Sequence, residues 1–84
     1  MITLPTIHNN GTGRQMLTEG YDNAADKLQD FIEAWGKVEF NARDYYVQGP
    51  DAWVKALEER EAMSAKIREV RDYITEIRQH LYDA

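Results

Sequence analysis

Two long segments of this chain carry apolar side chains at alternating intervals of three and four residues, the spacing of one face of an α-helix. The first stripe runs from Leu17 to Val38 and the second from Trp53 to Leu81. Between those ends lie Tyr21, Ala24, Leu28, Phe31 and Trp35 in the first stripe, and Ala56, Arg60, Met63, Ile67, Val70, Ile74 and Ile77 in the second. Two helices fill most of an 84-residue chain. We therefore expect an all-α fold, a long antiparallel helical hairpin.

Turn and capping residues set the expected boundaries. Pro5 and Asn9-Asn10-Gly11 favour an irregular arm, whose apolar residues predict that it packs on another segment. Thr12 and Gln15 fit a capping box at the start of helix one. Gly49-Pro50-Asp51 favours the start of helix two. The expected segments are an arm at 1–11, helix one at 12–39, a loop at 40–50 and helix two at 51–83, within one domain at 1–84.

The apolar stripes exceed what one hairpin can cover. Phe31, Trp35, Trp53 and Ile67 are large, and two helices leave part of each stripe exposed to water. Exposed apolar stripes usually pack against a partner. We therefore predict a homo-oligomeric helical bundle, either a homodimer of four helices or a higher symmetric oligomer.

Composition narrows the class of protein. The chain has no cysteine, which fits a reducing cytoplasm, and no apolar run of about 18 residues that would span a membrane. We expect neither a membrane segment nor a signal peptide. The net charge of −5 argues against binding to a nucleic acid polymer. Arg14 is nevertheless the only charged residue of segment 1–18, so a small anionic ligand can find local positive charge.

The sequence gives little support to catalysis, and we expect no enzyme, no metal and no cofactor. There is no cysteine nucleophile, and Ser64, the only serine, lies in the middle of a helix without an evident triad partner. His8 and His80 lie far apart and lack the spacing of a helical metal site. The remaining acids lie mainly where a solvated helix face would place them.

The loop between the helices is longer than the roughly 2–8 residues usual in helical bundles, and it carries Asn-Ala-Arg-Asp-Tyr-Tyr-Val-Gln-Gly at 41–49. Tyr45 and Tyr46 can stack on a base, and Arg43 can bind a phosphate. In the alternative interpretation one tyrosine covers the hairpin core, and Arg43 forms a solvated pair with Asp44. Under either interpretation we expect one tyrosine in the core and one at the surface.

The segment from His8 to Arg14 leads into helix one. Free N–H groups at a helix start bind anions, and Thr12 adds a hydroxyl, Arg14 a charge, and His8 and Asn10 hydrogen-bonding groups. The alternative is an ordinary capped turn with an exposed His8.

Arg60 is the one charged member of the second stripe. It either reaches the bundle edge or pairs with a carboxylate such as Glu33, or it binds a phosphate or carboxylate in an interior pocket.

An antiparallel dimer brings the arm of one chain to the loop of the other, which predicts a composite ligand site. Its candidate residues are His8, Asn10, Thr12 and Arg14 of one chain and Arg43, Tyr45 and Tyr46 of the other. Arg60 is a separate candidate for ligand binding.

Three segments resemble a group of small two-helix proteins of phages and prophages. They are His8-Asn9-Asn10-Gly11-Thr12, the Arg43-Asp44-Tyr45-Tyr46 element with Gly49, and residues 52–60. In size, helical build and expected oligomerisation the chain also resembles phage nucleotide sponges, such as the sequestin and lockin families. That resemblance implies an oligomer that binds a nucleotide immune signal without cleaving it and so blocks defence systems such as CBASS and Thoeris.

The expected function is therefore a phage anti-defence sponge for an ADP-ribose-derived or cyclic nucleotide, acting in the cytoplasm of an infected bacterium. The alternative is a helical protein-interaction module that inhibits a host protein or serves phage assembly or regulation. A third, weaker hypothesis is an enzyme that degrades such a nucleotide.

Overall fold

The computed structural model describes residues 2–83, which form an antiparallel hairpin of two α-helices. The first helix, α1, spans Arg14–Lys37, and the second, α2, spans Pro50–Asp83. Two short 3₁₀ turns lie between them, at Ala42–Asp44 and Tyr46–Gln48. No strand occurs among the described residues, so the expected all-α hairpin is confirmed. Met1, expected in the arm, and Ala84 lie outside the described range.

The hairpin is long and narrow, measuring 60 × 24 × 19 Å. At about 1.5 Å per residue, α2 alone is roughly 50 Å long, so it extends beyond the shorter α1. The irregular arm lies at the C-terminal end of α2, and the 3₁₀ turns lie at its N-terminal end. Over residues 2–83, neither helix combines the length and the apolar character that a membrane span requires.

Helix α1 begins two residues later than expected and lacks the predicted capping box. Gly13 occupies the N-cap with an extended backbone (φ −66°, ψ 153°), and no side chain caps the helix. The Gln15 amide donates forward to Glu19 Oε1 at 3.0 Å instead of back toward residue 12. Because residues four apart are neighbours on a helix surface, this pairing competes with the capping geometry. The prediction that Thr12 caps the helix is therefore wrong.

The other helix boundaries also differ slightly from expectation. Val38 has an extended backbone (φ −61°, ψ 127°), so α1 ends at Lys37 and not at residue 39. Gly49 adopts φ 115° and ψ 168°, a conformation that is almost exclusive to glycine. It turns the chain into Pro50, which begins α2 because its missing N–H is not needed in the first helical turn.

The helices hold together through few buried side chains and several hydrogen bonds. Among the described residues only Ala56, Ile77 and Leu81 are buried, and all three belong to α2. Trp35 donates its indole N–H to Ser64 Oγ at 3.1 Å, which joins α1 to the middle of α2.

Much of each apolar stripe stays exposed, as expected for a hairpin on its own. On α1 the exposed members include Phe31 and Val38. On α2 they include Met63 and Val70, and with Tyr73 these form a patch that we call the exposed band. It lies between the loop at one end of α2 and the arm at the other. The predicted oligomer remains a prediction.

Candidate functional site

The candidate site residues fall into two groups at opposite ends of the hairpin. His8, Asn10, Thr12 and Arg14 lie at the arm end, where α1 begins and α2 ends. Arg43, Tyr45, Tyr46 and Arg60 lie at the loop end. A single chain does not bring the two groups together, because the molecule is 60 Å long. The two halves of the expected site therefore lie apart in one chain, the first at the arm end and the second at the loop end.

At the arm end a tight turn precedes α1. The Gly11 N–H donates to the His8 carbonyl oxygen at 3.1 Å. The His8 ring folds over this turn, and a Cβ atom at Gly11 would lie only 2.7 Å from His8 Nε2. The glycine therefore gives the imidazole room, while Asn10 and Thr12 remain exposed.

The first turn of α1 offers free backbone donors. Its first intrahelical bond runs from the Leu17 N–H to the Gly13 carbonyl oxygen at 3.1 Å, so the N–H groups of residues 14–16 precede the helical ladder. No side chain among residues 2–83 caps them, and no acid lies in this turn. The helix dipole concentrates positive potential at the same place. This end of the helix can therefore bind an anion.

The arm also ties the helices together. Arg14 donates a guanidinium N–H to the Leu81 carbonyl oxygen, which lies near the C-terminal end of α2. The ring Nε2 of His80 hydrogen-bonds to the Pro5 carbonyl oxygen at 2.8 Å. The expectation that the arm packs on another segment is thereby confirmed. Part of the hydrogen-bonding capacity of Arg14 is used within the chain.

The two loop tyrosines point in different directions, as expected. Tyr45 is half-buried, and its ring centroid lies 5.8 Å from that of Phe40 and 5.7 Å from that of Trp53. Phe40 and Trp53 are themselves 4.9 Å apart, which completes an aromatic cluster of three rings. Tyr46 is 67% exposed, and Arg43 is exposed. Tyr45 therefore anchors the loop, and Tyr46 and Arg43 face the solvent.

Arg60 is half-buried beside this aromatic cluster. It donates from Nη2 to the Trp35 carbonyl oxygen at 2.8 Å, a bond to the last turn of α1 and not to Glu33. Its Cζ atom lies 3.9 Å from the Trp35 ring centroid and 5.1 Å from that of Phe40. The guanidinium thus contacts two aromatic faces and a helix C-terminus.

Two grooves flank the loop end. One, of about 280 Å³, contains both Tyr45 and Arg60. Its full lining is Trp35, Val38, Glu39, Phe40, Tyr45, Ala56, Glu59, Arg60 and Met63. The other, of about 480 Å³, follows the start of α2 and is lined by Gln48, Gly49, Pro50, Asp51, Ala52, Lys55, Ala56 and Glu59. Both are open grooves, not enclosed cavities.

Sequence reasoning missed one polar cluster, which lies towards the arm end. Asp22 accepts hydrogen bonds from Tyr82 Oη at 2.5 Å and from Arg78 Nε at 2.9 Å. The hydrogen bond from Tyr82, followed by the one from Arg78, holds the pKa of Asp22 below its ordinary value of 3.8. The same bond raises the pKa of Tyr82, because its hydroxyl proton is held by the carboxylate. The spacing of polar residues does not indicate this pairing, since the partners lie on different helices.

No group of three or more histidine or acidic side chains among residues 2–83 is placed to hold a metal ion. Comparisons with protein-family models, with curated proteins and with solved structures found no match.

Proposed function

We propose that this protein is a phage anti-defence sponge, a homo-oligomer that sequesters a nucleotide immune signal without cleaving it. The observation that carries the proposal is the different character of the two ends. One presents backbone donors suited to phosphate, and the other presents an exposed aromatic ring with a guanidinium. A nucleotide needs both kinds of contact, for its phosphates and for its base.

At the arm end the support comes from polar groups that have no partner within residues 2–83. The uncapped first turn of α1 offers N–H groups, and the exposed Thr12 adds a hydroxyl donor. Such a helix start favours a phosphate because its donors converge and its dipole is positive. Asn10 and His8 lie in the preceding turn and supply contacts to a ribose or a base.

At the loop end the support comes from an exposed tyrosine, Tyr46, that follows an anchored one, Tyr45. Tyr45 is fixed in the aromatic cluster, which orders the backbone beside it. Tyr46 follows directly and offers an exposed ring on which a base can stack. An ordered loop loses less conformational entropy when a ligand binds, which favours tight binding.

The exposed band supports the assembly that the composite site requires. Met63 and Val70 lie symmetrically about the centre of α2, Pro50–Asp83, and both are exposed. Two copies that pack antiparallel through this band bring the C-terminal end of one α2, with its arm, beside the loop of the other. The open groove of about 480 Å³ at the start of α2 lies at that position.

Thermal denaturation against a panel of signalling nucleotides tests the proposal. A ligand at about 100 times its Kd stabilises the native state by roughly 2.7 kcal/mol, which raises the Tm of a domain this small by about 10 °C or more. We expect such a shift with one ADP-ribose-derived or cyclic nucleotide, and recovery of that nucleotide intact. Recovery of a cleaved product would favour an enzyme instead.

Two variants test the composite site. Tyr46→Ala and Arg14→Ala should each reduce nucleotide binding, and mixed oligomers of the two should regain part of it, because one intact site then forms. Val47→Ala is the matched control, since this neighbouring side chain is 92% exposed and is assigned no ligand contact. Full binding by both single variants would contradict the composite site.

The exposed band also favours a second candidate function, a helical module that binds a host protein. A row of apolar side chains on a long helix is a common docking surface for a partner helix. The panel distinguishes the two functions. No shift with any nucleotide, together with a monomer in light scattering at micromolar concentration, would favour the protein partner.

A further inference from the structure

We propose that Arg60 positions the loop half of the site and does not itself contact the ligand. Arg60 lies on α2, about three turns after its first residue, Pro50. From there its side chain crosses to the last turn of α1, where it donates to the Trp35 carbonyl oxygen at 2.8 Å. The same carbonyl also accepts the Val38 N–H at 3.3 Å, so Arg60 adds a second donor to it. A cation near a helix C-terminus also complements the helix dipole.

The guanidinium plane has a second function. Its Cζ atom lies 3.9 Å from the Trp35 ring centroid and 5.1 Å from the Phe40 centroid, so it contacts one ring on α1 and one beyond its end. The Trp35 ring is fixed in turn by the bond from its N–H to Ser64 Oγ at 3.1 Å. Arg60 is therefore held on one side by α1 and holds Phe40 on the other.

Phe40 passes this constraint to the loop. Its ring lies 5.8 Å from Tyr45 and 4.9 Å from Trp53, measured between centroids. Tyr45 is the residue between the two 3₁₀ turns, and the exposed Tyr46 follows it. The direction of Tyr46 thus depends on a connected series of contacts that starts at Arg60.

An arginine suits this position better than a lysine. A planar guanidinium can stack on an aromatic ring while its edge donates a hydrogen bond. The ammonium group of a lysine is compact, and it has no plane that can stack on a ring. The internal partners also explain how a charged residue can belong to the apolar stripe of α2. The consequence for ligand affinity rests on the proposed function, but the consequence for loop order does not.

Hydrogen exchange without any nucleotide tests the positioning role. The loop contains four N–H groups that donate within its own turns, those of Asp44, Tyr45, Gln48 and Gly49. In Arg60→Met, which keeps an apolar stem, we expect these amides to exchange about tenfold faster, because the stack and the hydrogen bond are lost. Amides in the N-terminal half of α1 should be unchanged.

Two further variants complete the test. Arg68→Met is the matched control, because Arg68 lies on the same helix, is exposed and pairs only with Glu61 among the described residues. It should leave the loop amides at the wild-type rate. Arg60→Lys should give an intermediate rate, since it keeps the charge and loses the plane.

Three results would overturn the inference. They are an unchanged loop in Arg60→Met, an equal acceleration of all amides in the protein, and full recovery in Arg60→Lys. If a nucleotide binds the wild type, Arg60→Met should also weaken that binding about tenfold. If none binds, the proposed function fails, and the exchange rates still decide the role of Arg60.

Discussion

The side-chain hydrogen bonds that join α2 to the rest of the chain connect residues 56 to 75 positions apart at the arm end of the hairpin, and residues 25 to 29 positions apart at the loop end. Bringing distant residues together costs more chain entropy than joining close ones. The loop end can therefore form while much of the chain is still disordered. The arm end needs both helices in place, so its stability depends on the whole fold.

The two ends also differ in how they are packed. Ile77 and Leu81 are the most deeply buried side chains that the structure describes, at 1% and 2% exposure, and both lie in the last turns of α2. The loop end relies on half-buried aromatic rings and on one special backbone conformation. Apolar burial dominates one end, and aromatic and backbone geometry dominate the other.

The largest expected effect comes from removing the buried apolar contact of the arm end. Leu81→Ala should lower the free energy of unfolding by about 2–5 kcal/mol, the usual range for a buried leucine. Leu57→Ala, nearer the loop end and 44% exposed, should cost about 1 kcal/mol or less. Urea denaturation at a fixed protein concentration measures both. Equal losses of unfolding free energy in the two variants would show that apolar burial does not contribute more at the arm end than at the loop end.

A change of backbone conformation at the loop end should have the next largest effect. Gly49→Ala should cost about 1–3 kcal/mol, because a residue with a Cβ is strained in the conformation that Gly49 adopts. A Cβ there would meet no atom within 4 Å, so the loss reports on the backbone alone. Gly20→Ala is the control: it also meets no atom within 4 Å but lies inside α1, and should instead stabilise the helix. A neutral Gly49→Ala would mean that the loop geometry is loose.

The smallest expected effect is the acid sensitivity of the Asp22 cluster. Because the pKa of Asp22 is lowered in the folded state, its carboxylate stabilises the fold above its ordinary pKa of 3.8, and that contribution disappears as the pH falls through the lower folded value. Asp22→Asn should therefore lower the Tm at neutral pH and flatten the decline of the Tm in acid.

Thermal denaturation from neutral to strongly acid pH measures this effect. Asp30→Asn, an exposed acid about two turns further along α1, serves as the control and should keep the wild-type profile. Parallel profiles for the wild type and Asp22→Asn would show that the cluster adds nothing to the arm end.

The sequence predicted what depends on local pattern. The three-and-four spacing of apolar residues identified both helices, turn and capping residues placed their ends to within two residues, and the adjacent tyrosines implied one buried and one exposed ring. Both inferences need only neighbours in the chain. The capping box failed because Gln15 had a competing partner in Glu19, and the choice between two neighbours depends on the backbone conformation of Gly13.

The contacts of the arm end could not be predicted in the same way. Periodicity shows that two helices face each other, but it does not fix their relative position along the common axis. That position decides whether Arg78 meets Asp22 and whether Arg14 meets the end of α2. For Arg60 the sequence left two interpretations open. Its partners in the structure are aromatic rings and a backbone carbonyl oxygen, and neither can be recognised in a sequence as an opposite charge can.

The location of the two tryptophans makes the hairpin optically asymmetric. Trp35 and Trp53 both lie at the loop end, one beneath the guanidinium of Arg60 and the other against Phe40. Intrinsic tryptophan emission therefore follows the loop end alone, while circular dichroism follows both helices along their full length. Recording the two signals during one refolding experiment would separate the ordering of the loop end from helix formation along the whole hairpin, without any added label.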